Sequence, residues 1–338
     1  MPTKYYPLFN LYVLGKPWRF SFGSFLFANL VLNTKQCTLN EHIASNLNKI
    51  NQRKTDIEMN KINTLLLVLI LVCSSCKKDD EYIQQDTLGY NMLLMGNSFF
   101  RPYANRIGEL AIDAGYMNHN DMVVFKGGVS GRPINLWNDT GETNIRIKET
   151  LDRGDIDVFG MTAGNLPDNP TDGFRDWIAY ALQNNPNITI FLSIPPPDFP
   201  NDWEQTAQEF GFSTIQETYE HFVNHIINKT VIDSLRAEFP STNIFSIPTG
   251  KASIDLWQMN QDDLLLDDIT FMGPFATSLF TDVKGHQGEI IAYTGALMWL
   301  NAIYKVDLKT NGFDKDFNTD LHKVADNAMN IHDPNYNQ

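Results

Sequence analysis

The chain of 338 residues carries 26 Lys and Arg against 40 Asp and Glu, a formal net charge of −14. A body this acidic repels phosphate backbones, which argues against nucleic acid as a partner. Cysteine occurs three times, at positions 37, 73 and 76, so everything beyond residue 76 lacks a disulfide, a thiolate metal site and a cysteine nucleophile.

Taken in chain order, residues 1–58 carry 7 Lys and Arg against 3 Asp and Glu, whereas residues 76–338 carry 18 against 37. Residues 60–76 read NKINTLLLVLILVCSSC: a cationic start at Lys61, an apolar run from Leu65 to Val72, then small residues before a cysteine. The run is far below the roughly 20 residues that a bilayer-spanning helix needs, so residues 59–76 read as a secretory signal. A signal works at an N-terminus, and Met59 immediately precedes this one; residues 1–58 are therefore expected to be an extension upstream of the functional start. The alternative is an aromatic-rich membrane anchor over residues 5–32, broken by Lys16 and Arg19.

The ending Cys73-Ser74-Ser75-Cys76 resembles a bacterial lipobox, with Cys73 where Leu is usual. Residues 77–89 open on Lys-Lys-Asp-Asp-Glu and resemble the charged tether of Bacteroidota surface lipoproteins. The resemblance implies lipid on Cys76 and a location in the outer membrane, facing the cell surface or the periplasm. Membrane contact is then through the lipid anchor only.

Five apolar runs follow: Met92 to Met95, Met122 to Phe125, Ile156 to Met161, Ile188 to Ile194 and Ile244 to Ile247. Continuous rather than alternating apolar character predicts parallel strands covered on both faces. Between them, Tyr103, Ile107, Leu110, Ala111 and Ala114 recur at helical spacing, as do Phe174, Trp177, Ile178, Ala181 and Leu182. Residues 203–239 are helical in character, and residues 289–304 form an almost wholly apolar last helix. This alternation predicts an α/β protein, a three-layer α/β/α sandwich around a mostly parallel five-stranded sheet, in one domain over residues 90–308. Residues 309–338 are polar and Asn/Asp-rich, and are expected to pack loosely as a tail.

Four stretches could carry chemistry. "LLMGNSFFRP", residues 93–102, ends a strand and begins a helix, so Ser98 is either a nucleophile on a strand-to-helix turn or a helix cap. "GGVSGRP", residues 127–133, places Gly131 after the second strand, where backbone can approach a ligand. "TAGNLPD", residues 162–168, supplies the neutral amide of Asn165. "TDVKGHQG", residues 281–288, supplies His286 and Asp282 just before the last helix.

Strand-end Ser, Gly, Asn and finally His, in that order, resembles the SGNH (GDSL-like) hydrolase family over roughly residues 90–305. The resemblance implies a flavodoxin-like fold in which Ser98 is the nucleophile and His286 its general base. The oxyanion hole would then be the Ser98 N–H, the Gly131 N–H and the Asn165 amide. Three departures stand out. Gly-Asn-Ser replaces the commoner Gly-Asp-Ser, and Ala163 and Leu166 flank Gly164-Asn165 where Gly-x-Asn-Asp is usual. Val283, not an acid, stands three residues before His286. Asp282 lies one residue further away, and Gly285 could let the loop bulge to restore the contact; otherwise the orienting acid is Asp267 or Asp268, or a backbone carbonyl leaves a Ser-His dyad.

The implied reaction is hydrolysis of small acyl esters, acetyl included, on a small molecule or a polysaccharide, with no cofactor and no metal. Arg132 and Trp137, beside Gly131, are candidates for binding the substrate, with packing an equal alternative for Trp137. The alternative function is a glycan-binding or scaffolding lipoprotein that keeps the fold with a degenerate site. His221 and His225 share a helix face with Glu217, but the metalloprotease motif needs a Glu between the histidines; solvated helix surface is the expectation there.

Overall fold

Residues 88–338, apart from residue 165, are described by the computed structural model. Cys76, the signal over residues 59–76, the extension over residues 1–58, most of the tether and Asn165 lie outside the described residues. The apolar runs become five strands: β1 (Asn91–Gly96), β2 (Asn120–Phe125), β3 (Val158–Thr162), β4 (Thr189–Ser193) and β5 (Ile244–Ile247). They form one sheet in the order β2-β1-β3-β4-β5, every pairing parallel. Central strands are buried on both faces, as Met92, Leu93, Leu94 and Met95 of β1 illustrate. The edge strand β2 buries only Val124 and leaves Phe125 exposed, because a sheet edge is covered on fewer sides.

Helices cover both faces and give the three-layer α/β/α sandwich. Helix α1 (Arg101–Asp113) has Pro102 in its first turn and buries Tyr103, Ala104, Ile107, Leu110 and Ala111, one stripe at helical spacing. Gly115, at φ 94°, turns the chain out of it. Helices α2 (Pro133–Trp137), α3 (Glu142–Asp152) and α4 (Phe174–Asn184) pack against one another. After α5 (Trp203–Glu209), α6 (Ile215–His221) and α7 (Asp233–Glu238), helix α8 (Gly250–Gln261) leads to a short parallel pair, β6 (Thr270–Met272) and β7 (Ser278–Phe280). Helix α9 (Glu289–Tyr304) is buried almost all round, between α1, α8 and the helix that follows. Among the described residues no helix is long and apolar enough to cross a membrane.

The expected loose tail is instead part of the core. Helix α10 (Leu321–Ile331) starts on Asp320, whose carboxylate accepts the Lys323 N–H, and buries Leu321, Val324, Ala325, Ala328 and Met329 against α9 and α8. Polar composition hid an amphipathic stripe at spacings of three and four. His332 then enters the core, with Nε2 at 3.1 Å from the Ser246 carbonyl and 3.2 Å from its hydroxyl.

Burial pushes the His332 pKa down to about 4 from 6.5, against hydrogen bonds that favour the charged ring. Between those two values the unfolded chain binds a proton that the folded chain refuses, so stability falls as pH drops from about 6.5 to 4. The shift corresponds to about 3 kcal/mol at most. We expect the urea midpoint to fall more between pH 7 and pH 4.5 in the parent protein than in His332→Gln. Equal falls would refute this account of the C-terminal anchor.

Candidate active site

At the carboxyl end of β1 the chain turns sharply. Asn97 offers its carbonyl to the Phe100 and Arg101 N–H groups, and its side chain accepts the Phe99 N–H. Ser98 rides on this turn. It does not cap α1, whose N-cap position is Phe100 with no side-chain cap. Its Oγ instead lies 2.7 Å from His286 Nε2.

His286 is held from its other side by Asp282, with 2.6 Å between Nδ1 and Oδ2. The second carboxylate oxygen accepts the N–H groups of Lys284, Gly285 and His286. Gly285 sits at φ 96°, where a side chain would be strained, and so takes up the extra residue between acid and histidine. Thr281 and His286 close the loop through a 2.7 Å backbone bond. Partial burial pushes the Asp282 pKa up, but the hydrogen bonds from the His286 ring and backbone outweigh it and leave the carboxyl below its ordinary value. An ionised Asp282 accepts a hydrogen bond from Nδ1–H, which holds the proton on Nδ1 and leaves Nε2 free to accept from the Ser98 hydroxyl.

Neighbouring groups fix this geometry. The Phe99 ring stacks on the His286 imidazole with centroids 4.9 Å apart. Gln287, itself buried, donates to the Phe99 carbonyl and the Tyr103 hydroxyl and so ties the histidine loop to the start of α1. Gly131 ends a single 3₁₀ turn, Gly128–Gly131. A Cβ there would lie 2.3 Å from the Lys126 carbonyl, 2.5 Å from the Gly96 carbonyl and 2.7 Å from the Asn97 Cα. Only glycine lets this loop close on the Ser98 turn.

Other candidates go elsewhere. Asp267 accepts the Asn318 and Thr319 N–H groups and so holds the C-terminal segment, not the histidine. Trp137 is a packing residue: its ring stands edge-on to Trp177 at 4.9 Å, and the Lys148 ammonium lies 4.6 Å from its centroid. The aromatic in α2 thus serves the helix layer, the packing role that the sequence offered beside contact with substrate. Glu217 accepts the Ser213 N–H at the start of α6, which leaves His221 and His225 as neighbouring rings without a third ligand among the described residues. A cavity of about 380 Å³ lies against Leu297, Phe313, Phe317 and His322, and none of Ser98, His286 or Asp282 lines it.

The sequence offers residues 194–200, IPPPDFP, as a rigid loop at the same sheet edge that could wall the pocket, though it assigns no role to Asp198 or Phe199 within it. Asp198, from the proline-rich loop after β4, is largely buried and lies 3.8 Å from Lys284 Nζ. Burial pushes its pKa up, while Lys284, His286 and Arg132 pull it back. The same loop donates the Phe199 N–H to the Lys284 carbonyl, with Phe199 in the left-handed region at φ 60°. Such strain in a bulky residue persists where its surroundings impose it. The available signal was an acid at the carboxyl end of an apolar strand, where sites in open α/β sheets gather.

No protein-family model matches the sequence, and no curated protein matches it. Similar solved structures include the periplasmic domain of a lipopolysaccharide acetyltransferase from Salmonella ser. Paratyphi A, 15% identical over 48% of this chain and 67% of that one, with a TM-score of 0.33. They also include a DUF4886 family protein from Bacteroides uniformis, 14% identical over 72% of this chain and 95% of that one, with a TM-score of 0.45. At these scores neither likeness bears on substrate or reaction.

Proposed function

We propose that the chain is a serine esterase of the SGNH hydrolase type, acting on small acyl esters, acetyl among them. The observation that carries the reading is the unbroken line from Ser98 Oγ to His286 Nε2 and from His286 Nδ1 to Asp282, at 2.7 and 2.6 Å. In this reading His286 removes the Ser98 proton as Oγ attacks the ester carbonyl, and Asp282 stabilises the imidazolium that forms. The tetrahedral oxyanion is received by the N–H groups of Ser98 and Gly131 and by the Asn165 amide. Each well-placed donor of this kind is worth about 2.7–4 kcal/mol. His286 returns its proton to the leaving alcohol, and water repeats the cycle to free the serine. Lipid on Cys76 would hold the domain at the outer membrane, within reach of polysaccharide or small-molecule esters.

A neutral fluorophosphonate probe tests an activated serine without knowledge of the substrate. We expect a stable adduct on the peptide containing Ser98, absent in His286→Ala. No adduct and no turnover of 4-nitrophenyl acetate would overturn the esterase reading in favour of a glycan-binding role.

A further inference from the structure

We propose that this site selects esters bearing a carboxylate, which Arg132 binds beside the reacting serine; the inference rests on the esterase reading. Arg132 directly follows Gly131, whose Cα is seated against Gly96 and Asn97, so its side chain departs one residue from the loop that closes on the Ser98 turn. The side chain is partly buried. Each of the other partly buried arginines among the described residues has a hydrogen bond or an ion pair: Arg175 pairs with Asp172 at 2.7 Å, Arg236 donates to the Ile244 and Asn335 carbonyls, and Arg106 has an ion pair with Glu109 at 3.8 Å, though its buried Nε makes no hydrogen bond. Arg132 alone in this group makes no side-chain hydrogen bond and no ion pair within 4 Å among the described residues. A guanidinium presents five donors in a rigid fork suited to a carboxylate, and partial burial has already taken some of the water from this one.

The carboxylates nearby leave that fork without an acceptor. Asp198 is within electrostatic reach of Arg132, but its close partner is Lys284. One carboxylate therefore serves two cations. The Asp282 oxygens are taken up by three backbone N–H groups and the His286 ring, so neither nearby carboxylate is hydrogen-bonded to Arg132. The Arg132 donors are thus left without a protein acceptor, close to the turn that carries Ser98, and an acceptor from outside can take them. A carboxylate fits that charge and that fork, and it could belong to the acyl group or to the alcohol.

The test compares kcat/KM within two matched pairs. 4-Nitrophenyl acetate against 4-nitrophenyl hydrogen succinate places the carboxylate on the acyl side. Acetylated methyl glucoside against acetylated methyl glucuronide places it on the alcohol side. We expect the full protein to prefer the carboxylate member of one pair, and that pair identifies the source. The preference should fall about tenfold to a hundredfold in Arg132→Gln, fall less in Arg132→Lys, and shrink with added salt in the parent protein. Reading the ratio within a pair cancels any general loss of activity. Hydrolysis of neutral esters with no carboxylate preference in either pair, or a preference unchanged in Arg132→Gln, would overturn this inference and leave the esterase reading intact. Absence of all ester hydrolysis together with absence of a fluorophosphonate adduct would overturn both.

Discussion

Ser98→Ala and His286→Ala should each slow ester hydrolysis by roughly 10⁵- to 10⁶-fold, and the double variant should be no slower than either. Groups that act as one unit show this non-additivity, because removing either member removes the step in which both take part. The geometry ties the two together: the 2.7 Å contact with His286 is the only side-chain hydrogen bond of Ser98 among the described residues. Loss of the hydroxyl therefore leaves the core intact, and the urea midpoint of Ser98→Ala should match that of the parent. Penalties that simply add in the double variant would show that serine and histidine work separately.

Asp282→Asn should lower kcat by about 10⁴-fold with the fold retained. The asparagine carbonyl can still accept the N–H groups of Lys284, Gly285 and His286, which keeps the loop closed. Its amide donor then faces Nδ1, which drives the imidazole proton to Nε2 and removes the acceptor that Ser98 needs. Asp267→Asn is the charge control, since Asp267 holds residues 318 and 319 and not the histidine. Full activity in Asp282→Asn would reduce the arrangement to a dyad; loss in Asp267→Asn with activity kept in Asp282→Asn would reassign the acid.

The sheet and α9 were legible in the sequence because they are nearly all apolar, and burial on every side leaves no room for polar residues. Helix α10 was not, since Leu321, Val324, Ala325, Ala328 and Met329 are diluted by Asn and Asp, and composition drowned the period. At the site, the order of Ser98, Gly131 and His286 along the chain was readable, as was the possibility that Gly285 absorbs a residue. The loop over residues 194–200 was readable as a wall of the site, but the partner of Asp198 was not, because it depends on the meeting of two loops 86 positions apart, near residues 198 and 284. For Trp137 the sequence left packing and substrate contact open, because adjacency to a site residue in a short helix does not fix what the ring meets, here Trp177.

Ser98 and His286 are separated by 188 residues, and this bears on how the protein comes into being. Local helices and neighbouring parallel pairings can form while that separation is still open, because loop closure over long spans is slow and contributes nothing until the distant partners meet. The hydrogen bond joining them requires β1, the turn after it and the loop ahead of α9 to be docked together. Gln287 fastens the same junction, through its bonds to Phe99 and Tyr103. A folding chain thus acquires most of its secondary structure before Ser98 meets His286, and in the esterase reading catalytic competence arrives only with that long-range closure.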